Sequence, residues 1–335
     1  MSGNVKKQMA TNILILSCGT RNKIVQYFKK ELNGIGKVIA TDCSELAPAL
    51  YEADLHYIVP RIDDPKYLDR ILQICRENSI SAVLTLIDPE ISLLAKYEDR
   101  FVEAGTLPLV SSCDVVERSF DKYEFYLWLN EHGYKAAKTY ADKEQFYRDI
   151  KTGKINYPVF LKPCRGSASL NINKVFNEED VEFLMKRHPD LIIQEYMQGA
   201  EIGADIYIDL NSHDVVSIFT KEKILMRAGE TDKSVSFKDE KLFAIIKQFV
   251  KESGYVGAID IDIFKVGDDY YISEVNPRFG GGYLHAYECG VNFPRMIVNN
   301  LQKKSNAESL GDYEENVHMM KYNEVSIKKD LEKLN

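Results

Sequence analysis

Short apolar runs alternate with amphipathic stretches through the N-terminal third of the chain, and this alternation constrains the fold more than any other feature. Residues 12–17 include four consecutive aliphatic side chains, which is typical of a strand buried on both faces. Further strands are predicted at 38–41, 57–59 and 82–87, with helices near 22–33 and 65–78. Strands joined by helices in this way form a parallel sheet with right-handed crossovers.

The pattern changes in the second half, where successive strands are predicted to pair as hairpins. Strands at 157–162 and 171–176 flank a small-residue loop, and 258–264 pairs with 270–276 around Gly267-Asp268-Asp269. Other predicted elements are strands at 192–196 and 201–210, a helix at 239–253 and a late edge strand at 317–327. The predicted fold class is therefore α/β followed by α+β, in three parts that cover residues 1–115, 116–192 and 193–335.

Charge and cysteine usage narrow the class of protein. The chain has 51 acidic and 43 basic residues, a net charge of −8, so its overall field does not favour nucleic acid or an anionic membrane surface. No apolar run approaches the roughly 18–20 residues of a membrane helix. The six cysteines are far apart and form no C-x-x-C pair, which is typical of reduced thiols and predicts a cytoplasmic protein.

The turn after the first strand invites a dinucleotide-binding interpretation, with Asp42 at the end of the second strand as the ribose acid. The turn reads Cys-Gly-Thr-Arg-Asn and lacks the G-x-G-x-x-G fingerprint, so a nicotinamide oxidoreductase is disfavoured. Ligands still bind at the carboxyl ends of such strands. Gly19, Thr20 and Asp88 are therefore candidate substrate contacts.

The most informative cluster is the segment from Glu274 to Gly282. With a three-residue hairpin loop, Asp262 lies opposite Glu274, and two facing carboxylates destabilise a sheet unless a cation lies between them. Asn276 shares their face and adds a neutral oxygen. Oxygen-only ligands favour Mg²⁺ that also contacts phosphates. A solvated acidic face would leave Arg278 and the three consecutive glycines unexplained.

Two further segments have the residues of a nucleotide site. Lys162 ends a strand that leads into a loop containing Gly166, Ser167 and Ser169, which can offer backbone N–H groups and hydroxyls to phosphates. The segment Glu195-Tyr196-Met197 can present a backbone N–H to an adenine edge, and the carboxylate of Glu201 can hold ribose hydroxyls.

The order of these residues, together with Lys122, resembles the ATP-grasp family from about residue 12 to 300. It is most similar to carbamoyl phosphate synthase-like ligases and to the pyrrolysine-biosynthesis type of ATP-grasp enzyme. The resemblance implies a Rossmann-like pre-ATP-grasp domain (1–115), a small lobe with the phosphate loop (116–192) and a C-terminal lobe with the metal site and tail (193–335).

The resemblance also implies roles for the residues. ATP and Mg²⁺ would be the cofactors, with two Mg²⁺ bound and Mn²⁺ as a substitute. Arg278 would stabilise the transferred phosphoryl group, and the segment 227–233 would be a mobile substrate loop. The ATP contacts would be Lys122, Lys162, Gly166, Ser167, Ser169, Glu195, Tyr196, Met197 and Glu201; the metal ligands Asp262, Glu274 and Asn276; and further substrate contacts Arg227, Gly280 and Gly281.

The predicted reaction activates a small carboxylate as an acyl phosphate, which an amine then attacks to form an amide, with release of ADP and phosphate. One alternative is a carbamoyl phosphate synthase-like enzyme that phosphorylates bicarbonate or carbamate; the chain is too short for both grasp halves of that enzyme and would need a partner. Another is a non-catalytic nucleotide-binding module, which the complete set of site residues disfavours. The expected partners are small molecules, neither nucleic acid nor membrane, and a homodimer is compatible with the sequence.

Overall fold

The computed structural model describes residues 10–166 and 172–329 and confirms the predicted α/β plus α+β class. Its N-terminal domain is a five-stranded parallel sheet in the order β3-β2-β1-β4-β5, covered by helices on both faces. The strands are β1 (Asn12–Leu16), β2 (Val38–Asp42), β3 (Leu55–Ile58), β4 (Ile80–Thr85) and β5 (Leu107–Pro108), and the helices are α1 (Asn22–Glu31), α2 (Tyr67–Glu77), α3 (Asp88–Lys96) and α4 (Glu98–Glu103).

Two helices, α5 (Cys113–Phe120) and α6 (Lys122–Glu131), connect this domain to the small lobe. The Asp121 carboxylate caps α6 by accepting hydrogen bonds from the N–H groups of Tyr123 and Glu124. The small lobe is a four-stranded antiparallel sheet in the order β6-β9-β7-β8. Its elements are β6 (Thr139–Tyr140), α7 (Lys143–Lys151), β7 (Val159–Pro163), β8 (Asn173–Val175), α8 (Glu178–Arg187) and β9 (Leu191–Glu195), so β9 passes through the predicted boundary at residue 192.

The C-terminal lobe is a seven-stranded sheet in the order β14-β13-β10-β11-β12-β16, with β15 beside β11. Its strands are β10 (Ala200–Ile208), β11 (Val215–Arg227), β12 (Glu230–Phe237), β13 (Gly257–Val266), β14 (Asp269–Asn276), β15 (Ser309–Leu310) and β16 (His318–Met320). Its helices are α9 (Glu240–Ser253), α10 (Tyr283–Glu288) and α11 (Phe293–Leu301). The late strand is therefore present at the sheet edge, although it is shorter than predicted.

Residues 227–233, predicted as a mobile substrate loop, belong to a regular β-hairpin in the structure. These residues form the tip of the β11–β12 hairpin, in which Arg227 pairs with Glu230 and Met226 with Thr231. Only Ala228 and Gly229 form the turn, both with positive φ, as a two-residue hairpin turn requires. Thr231 is buried within the strand that follows.

One hydrophobic core joins the N-terminal domain to the C-terminal lobe, while the small lobe has its own core. Helix α1 packs against α10 through the stacked rings of Tyr27 and Tyr287, whose centroids are 3.5 Å apart. Arg295 of α11 forms an ion pair with Glu31 of α1 at 2.9 Å. The molecule thus has a large body with one shared core and a smaller lobe with its own core. None of the helices within the described ranges is long and apolar enough to cross a membrane.

Candidate active site

The β13–β14 hairpin places Asp262 directly opposite Glu274, as predicted. The predicted three-residue loop is wrong, because Val266 pairs with Asp269 and leaves a two-residue turn. A bulge at Ser273 adds the missing residue and restores the predicted pairing. The two carboxylates therefore face each other for a different local reason from the one that the sequence indicated.

A cavity of about 220 Å³ lies over this hairpin, at the junction of the N-terminal domain with the C-terminal lobe. Its floor contains the four predicted residues Asp262, Glu274, Asn276 and Arg278. The N-terminal domain contributes Arg21, which follows β1, and Asp88, which begins α3 after β4. Because the strand order reverses between β1 and β4, this is the switch point at which ligands bind in such sheets.

Two buried lysines on β11 complete the charged face of the sheet, and sequence reasoning missed both. Lys223 forms an ion pair with Asp262, and the fully buried Lys221 forms one with Asp205 of β10. Asp260 lies beside them, and burial together with the charge of Asp262 raises its pKa. The acidic residues are thus partly neutralised by lysines that are distant in sequence.

The residues on the cavity floor fit a magnesium ion that would be bound by protein oxygens together with the phosphates of a nucleotide. Within residues 10–166 and 172–329, no group of three or more His, Cys, Asp or Glu side chains is arranged to hold a metal by itself. The oxygen donors on this face are the carboxylates of Asp262 and Glu274 and the amide oxygen of Asn276; Asp262 also pairs with Lys223, and the Asn276 oxygen also accepts from Arg278. Mg²⁺ is commonly bound through one or two carboxylates plus substrate phosphates, which is the donor set found here.

Arg278 is held across the interface between the N-terminal domain and the C-terminal lobe. Its Nε donates to Oδ1 of Asp88 at 2.5 Å, Nη1 donates to the carbonyl of Phe279 at 3.1 Å, and Nη2 donates to Oδ1 of Asn276 at 3.2 Å. Burial alone would lower the pKa of Arg278, but the Asp88 carboxylate raises it above its ordinary value. A fixed, charged guanidinium therefore points into the cavity.

At the three consecutive glycines that follow Phe279, side chains occupy the space that a Cβ would need. A Cβ on Gly280 would lie 2.5 Å from Cγ of Asp260, and one on Gly282 would lie 2.7 Å from Cε of Lys221. A Cβ on Gly281 would lie 2.9 Å from Cδ of Glu230. The close approach predicted for these glycines is thus made by protein side chains, and Gly281 and Gly282 also line the cavity.

Of the two predicted phosphate-binding lysines, Lys122 begins the connecting helix α6 and Lys162 lies on β7 of the small lobe. Lys162 is buried, which lowers its pKa to about 8, and the charges of Glu274 and Asp262 oppose this shift. The ammonium of Lys122 donates to the carbonyl of Gly166 at 2.5 Å and so contacts the start of the predicted phosphate loop. Ser167 and Ser169 lie outside the described residues.

The predicted adenine and ribose segment is at the end of β9 and the start of β10. Oε2 of Glu195 accepts a hydrogen bond from the N–H of Lys138 at 3.1 Å, so this carboxylate already has a partner. The ring of Tyr196 lies 3.5 Å from the ammonium of Lys174. Met197 is half-buried, and Glu201 is exposed on β10, where its charge contributes to the raised pKa of Lys223.

Four candidate substrate residues do not line the cavity: Gly280, described above, and Gly19, Thr20 and Arg227. Gly19 uses its N–H to donate to Asp42 at 2.9 Å, which fixes the turn and gives Asp42 a structural role in place of ribose binding. Thr20 is exposed, and Arg227 is 64% exposed and lies 3.5 Å from Asp232. The residue that lines the cavity from this turn is Arg21, which was not among the predicted substrate contacts.

Comparison with known proteins agrees with this architecture. A family model for the PylC-like N-terminal domain matches residues 13–109, and a model for the ATP-grasp domain matches residues 119–282. The chain belongs to the ATP-grasp superfamily and carries a PylC-like N-terminal domain. Members of this superfamily related to it are ATP-dependent ligases, and the chain is an enzyme of that class.

Individual relatives are distant. A carbamoyl-phosphate synthase from Methanobrevibacter smithii is 26% identical over 309 residues, covering 86% of this chain and 80% of the relative. The chain spans only about a fifth of the carbamoyl phosphate synthase large chains that it also matches.

Two solved structures show the same fold. The biotin carboxylase domain of Hydrogenobacter thermophilus 2-oxoglutarate carboxylase, a dimer in complex with MgADP, ADP and bicarbonate, has a TM-score of 0.75 at 18% identity, over 93% of this chain and 74% of that chain. An L-amino acid ligase from Bacillus licheniformis has a TM-score of 0.65 at 18% identity, over 88% and 75% respectively.

The position of Lys162 leads to a prediction about ATP binding. Replacing it with alanine is expected to weaken ATP binding by about 10- to 150-fold, because charge-assisted phosphate contacts are lost. Since its pKa is lowered to about 8, the wild-type ammonium loses its proton as the pH rises through that value, and ATP affinity should fall there. Calorimetry across this pH range should show the fall in the wild type and its absence in Lys162→Ala.

The exposed Lys154, which pairs with Asp149 in the same lobe, provides the control. Lys154→Ala should keep both the affinity and the pH dependence of the wild type. Wild-type affinity in Lys162→Ala, or an unchanged pH dependence, would show that Lys162 does not contact the phosphates.

Proposed function

We propose that the protein is an ATP-dependent carboxylate–amine ligase that forms an amide through an acyl phosphate. The observation that carries this proposal is the convergence of Asp262, Glu274, Asn276 and Arg278 on one small cavity, with the buried Lys162 near enough for the charges of Glu274 and Asp262 to raise its pKa. Such an arrangement can neutralise phosphates at one end and hold an anionic intermediate at the other. The B. licheniformis ligase, which acts on L-amino acids, has the same fold and supports the proposal.

The chain's own residues supply positioning and charge. Lys122 and Lys162 would bind the ATP phosphates, while Asp262, Glu274 and Asn276 would hold Mg²⁺, which neutralises phosphate charge when bound. Arg278 would hold the transferred phosphoryl group in the orientation that Asp88 fixes. Burial raises the pKa of the nearby thiol of Cys164, and no cysteine or serine nucleophile is required.

The proposed bond changes are as follows. A substrate carboxylate oxygen attacks the γ-phosphorus of ATP, the new O–P bond replaces the bridging P–O bond, and ADP leaves with that electron pair. The amine nitrogen then attacks the acyl carbon, the C–N bond forms, and phosphate leaves with the C–O bonding pair. The nitrogen loses its proton to solvent. An enclosed cavity protects the acyl phosphate from water between the two steps.

The second candidate is phosphorylation of bicarbonate or carbamate. The M. smithii carbamoyl-phosphate synthase favours it, because the chain covers 80% of that relative. From the sequence alone, a chain of this length was expected to need a partner for such a reaction. Because this chain covers most of that relative, its length alone is not a reason to expect a partner. The two candidates differ in their second substrate, and product analysis separates them.

The test is an ADP-release screen with Mg·ATP, single carboxylates and carboxylate–amine pairs, followed by mass spectrometry. A carboxylate alone should release ADP slowly, and the right amine should accelerate release and yield an amide with one phosphate freed per bond. A stable phosphorylated product that does not depend on an amine would indicate the second candidate. ATP binding without any ADP release would indicate a non-catalytic nucleotide-binding module.

Several finer expectations belong to the same proposal. They are the ATP contacts at Glu195, Tyr196, Met197 and Glu201, two bound Mg²⁺ ions with Mn²⁺ as a substitute, a cytoplasmic location and a homodimer. The dimeric Hydrogenobacter domain supports the last of these. Light scattering of the purified protein would test it directly, and metal titration in the presence of a nonhydrolysable ATP analogue would test the ion count.

A further inference from the structure

The end of the cavity next to the N-terminal domain contains a cation that the proposed phosphoryl transfer does not use. Of the cations that line the cavity, Arg278 is bound to Asp88, and Lys223 is bound to Asp262. The third is Arg21, whose Nη2 lies 2.6 Å from Oε1 of Glu230 at the hairpin tip. Arg21 is therefore the charged group whose role the reaction leaves open.

Glu230 has a second cationic partner, so its pairing with Arg21 is replaceable. Its other oxygen, Oε2, lies 3.0 Å from the ammonium of Lys321 in the C-terminal segment. If Arg21 turns towards a bound anion, Glu230 keeps an ion pair and is not left as an unpaired, partly buried carboxylate. Binding of an anion to Arg21 therefore does not leave the Glu230 carboxylate without a cationic partner, which would be energetically unfavourable.

Charges of both signs surround Arg21. Burial lowers its pKa, Glu230 opposes this shift, and the nearby Arg278 lowers the pKa while Asp88 and Asp260 raise it. Because Arg278 is bound to Asp88, Arg21 is the cation at this end of the cavity whose partner is replaceable. A Cβ on Gly281 would lie 3.0 Å from Nη1 of Arg21, so the glycine leaves the guanidinium the room it occupies.

The position in the sheet agrees with a ligand-binding role. Arg21 follows β1 and Asp88 follows β4, at the switch point where the strand order reverses. The cavity of about 220 Å³ is smaller than the roughly 300–1,000 Å³ of pockets for drug-sized ligands. It therefore suits a small molecule with few heavy atoms.

On these grounds we infer that Arg21 is a specificity-determining residue that binds an anionic group, most simply a free carboxylate, on the amine substrate. The substrate class is then a small amino acid whose amino group attacks and whose own carboxylate stays unreacted on Arg21. This inference rests on the proposed ligase function and names the class of its second substrate. In the absence of that substrate, Arg21 forms its ion pair with Glu230.

The inference predicts opposite effects for the two partners of the ion pair. Arg21→Gln should raise the KM for the amino acid by about 10- to 150-fold, because a charge-assisted contact is lost, while the KM for ATP stays unchanged. Glu230→Gln releases Arg21 and should lower the KM for the amino acid by up to about fivefold, the value of a partly exposed ion pair. If the pair only fastens the hairpin tip to the N-terminal domain, both variants should raise that KM.

The experiment measures binding and turnover separately. Proteinogenic L-amino acids are titrated calorimetrically into the enzyme with Mg²⁺ and a nonhydrolysable ATP analogue, and each that binds is compared with its primary amide. The wild type should prefer the free acid, Arg21→Gln should lose that preference, and Arg61→Gln, which removes an exposed arginine of the same domain, should keep it.

Turnover with the same acids and amides then distinguishes this inference from the proposed function. Equal binding of acid and amide by the wild type, or an unchanged preference in Arg21→Gln, would overturn the role of Arg21 even if amide bonds are formed. Binding of the free acid that depends on Arg21, without any amide product, would support the role of Arg21 and reject the ligase function.

Discussion

Replacing Glu274 with glutamine is expected to lower the rate of ADP release by about 100- to 1,000-fold, the cost found when one preorganised electrostatic contact is removed from an enzyme active site. Glu274 faces Asp262 across β13 and β14, so the substitution removes one of two apposed negative charges. The protein should remain folded, because loss of that repulsion offsets the loss of the attraction between Glu274 and the buried Lys162. Steady-state kinetics at saturating ATP and a thermal unfolding curve test both statements.

The matched control is Glu222→Gln, which makes the same charge change at an exposed position on β11 of the same sheet. It should retain wild-type turnover and wild-type dependence on Mg²⁺ concentration. If Glu274→Gln turned over at the wild-type rate with an unchanged Mg²⁺ dependence, Glu274 would not be a metal ligand.

The facing carboxylates could be predicted from the sequence because the determinants are local. Asp262 and Glu274 lie on strands joined by one short turn, and alternation puts the polar residues of each strand on one face. The turn was predicted one residue too long, and the bulge at Ser273 compensated for this. The predicted pairing was therefore correct although the loop length behind it was not.

Strands β11 and β12 could not be recognised in the same way. Lys221 and Lys223 interrupt the apolar pattern of β11, and lysines in a strand ordinarily indicate a solvated face. Here they are buried, because Asp205 of β10 and Asp262 of β13 pair with them. Asp205 and Asp262 become neighbours of these lysines only after the sheet has formed. The local sequence around the lysines therefore does not indicate that they are paired.

The contacts between the N-terminal domain and the C-terminal lobe show the same limit. The parallel sheet was predictable from its apolar runs, and Asp88 from its place after β4. Its partner Arg278 is 190 residues away, and the pairing of Arg21 with Glu230 also depends on how the two parts dock. Side chains from segments that are distant in sequence meet at the cavity. The ion pairs of the site could therefore not be predicted from the sequence alone.

Arg278→Lys is expected to reduce the rate of ADP release by about 1,000-fold while the protein remains folded. Lysine keeps a positive charge beside Asp88, so the buried carboxylate retains an ion-pair partner. It cannot reproduce the planar fork that simultaneously reaches Asp88, the carbonyl of Phe279 and Asn276. The KM for ATP should change little, because the contact proposed for Arg278 is with the phosphoryl group in transfer.

Arg295→Lys is the appropriate control, because Arg295 also joins the C-terminal lobe to a carboxylate of the N-terminal domain, Glu31, at 2.9 Å. It should unfold near the wild-type temperature and keep wild-type turnover. Asp88→Asn separates positioning from charge: it leaves Arg278 charged but loosely oriented, so the rate should fall with ATP binding intact and to a smaller extent than in Arg278→Lys. If Arg278→Lys turned over ATP as fast as Arg295→Lys, charge alone would suffice at this position, and the fixed guanidinium geometry would have no part in catalysis.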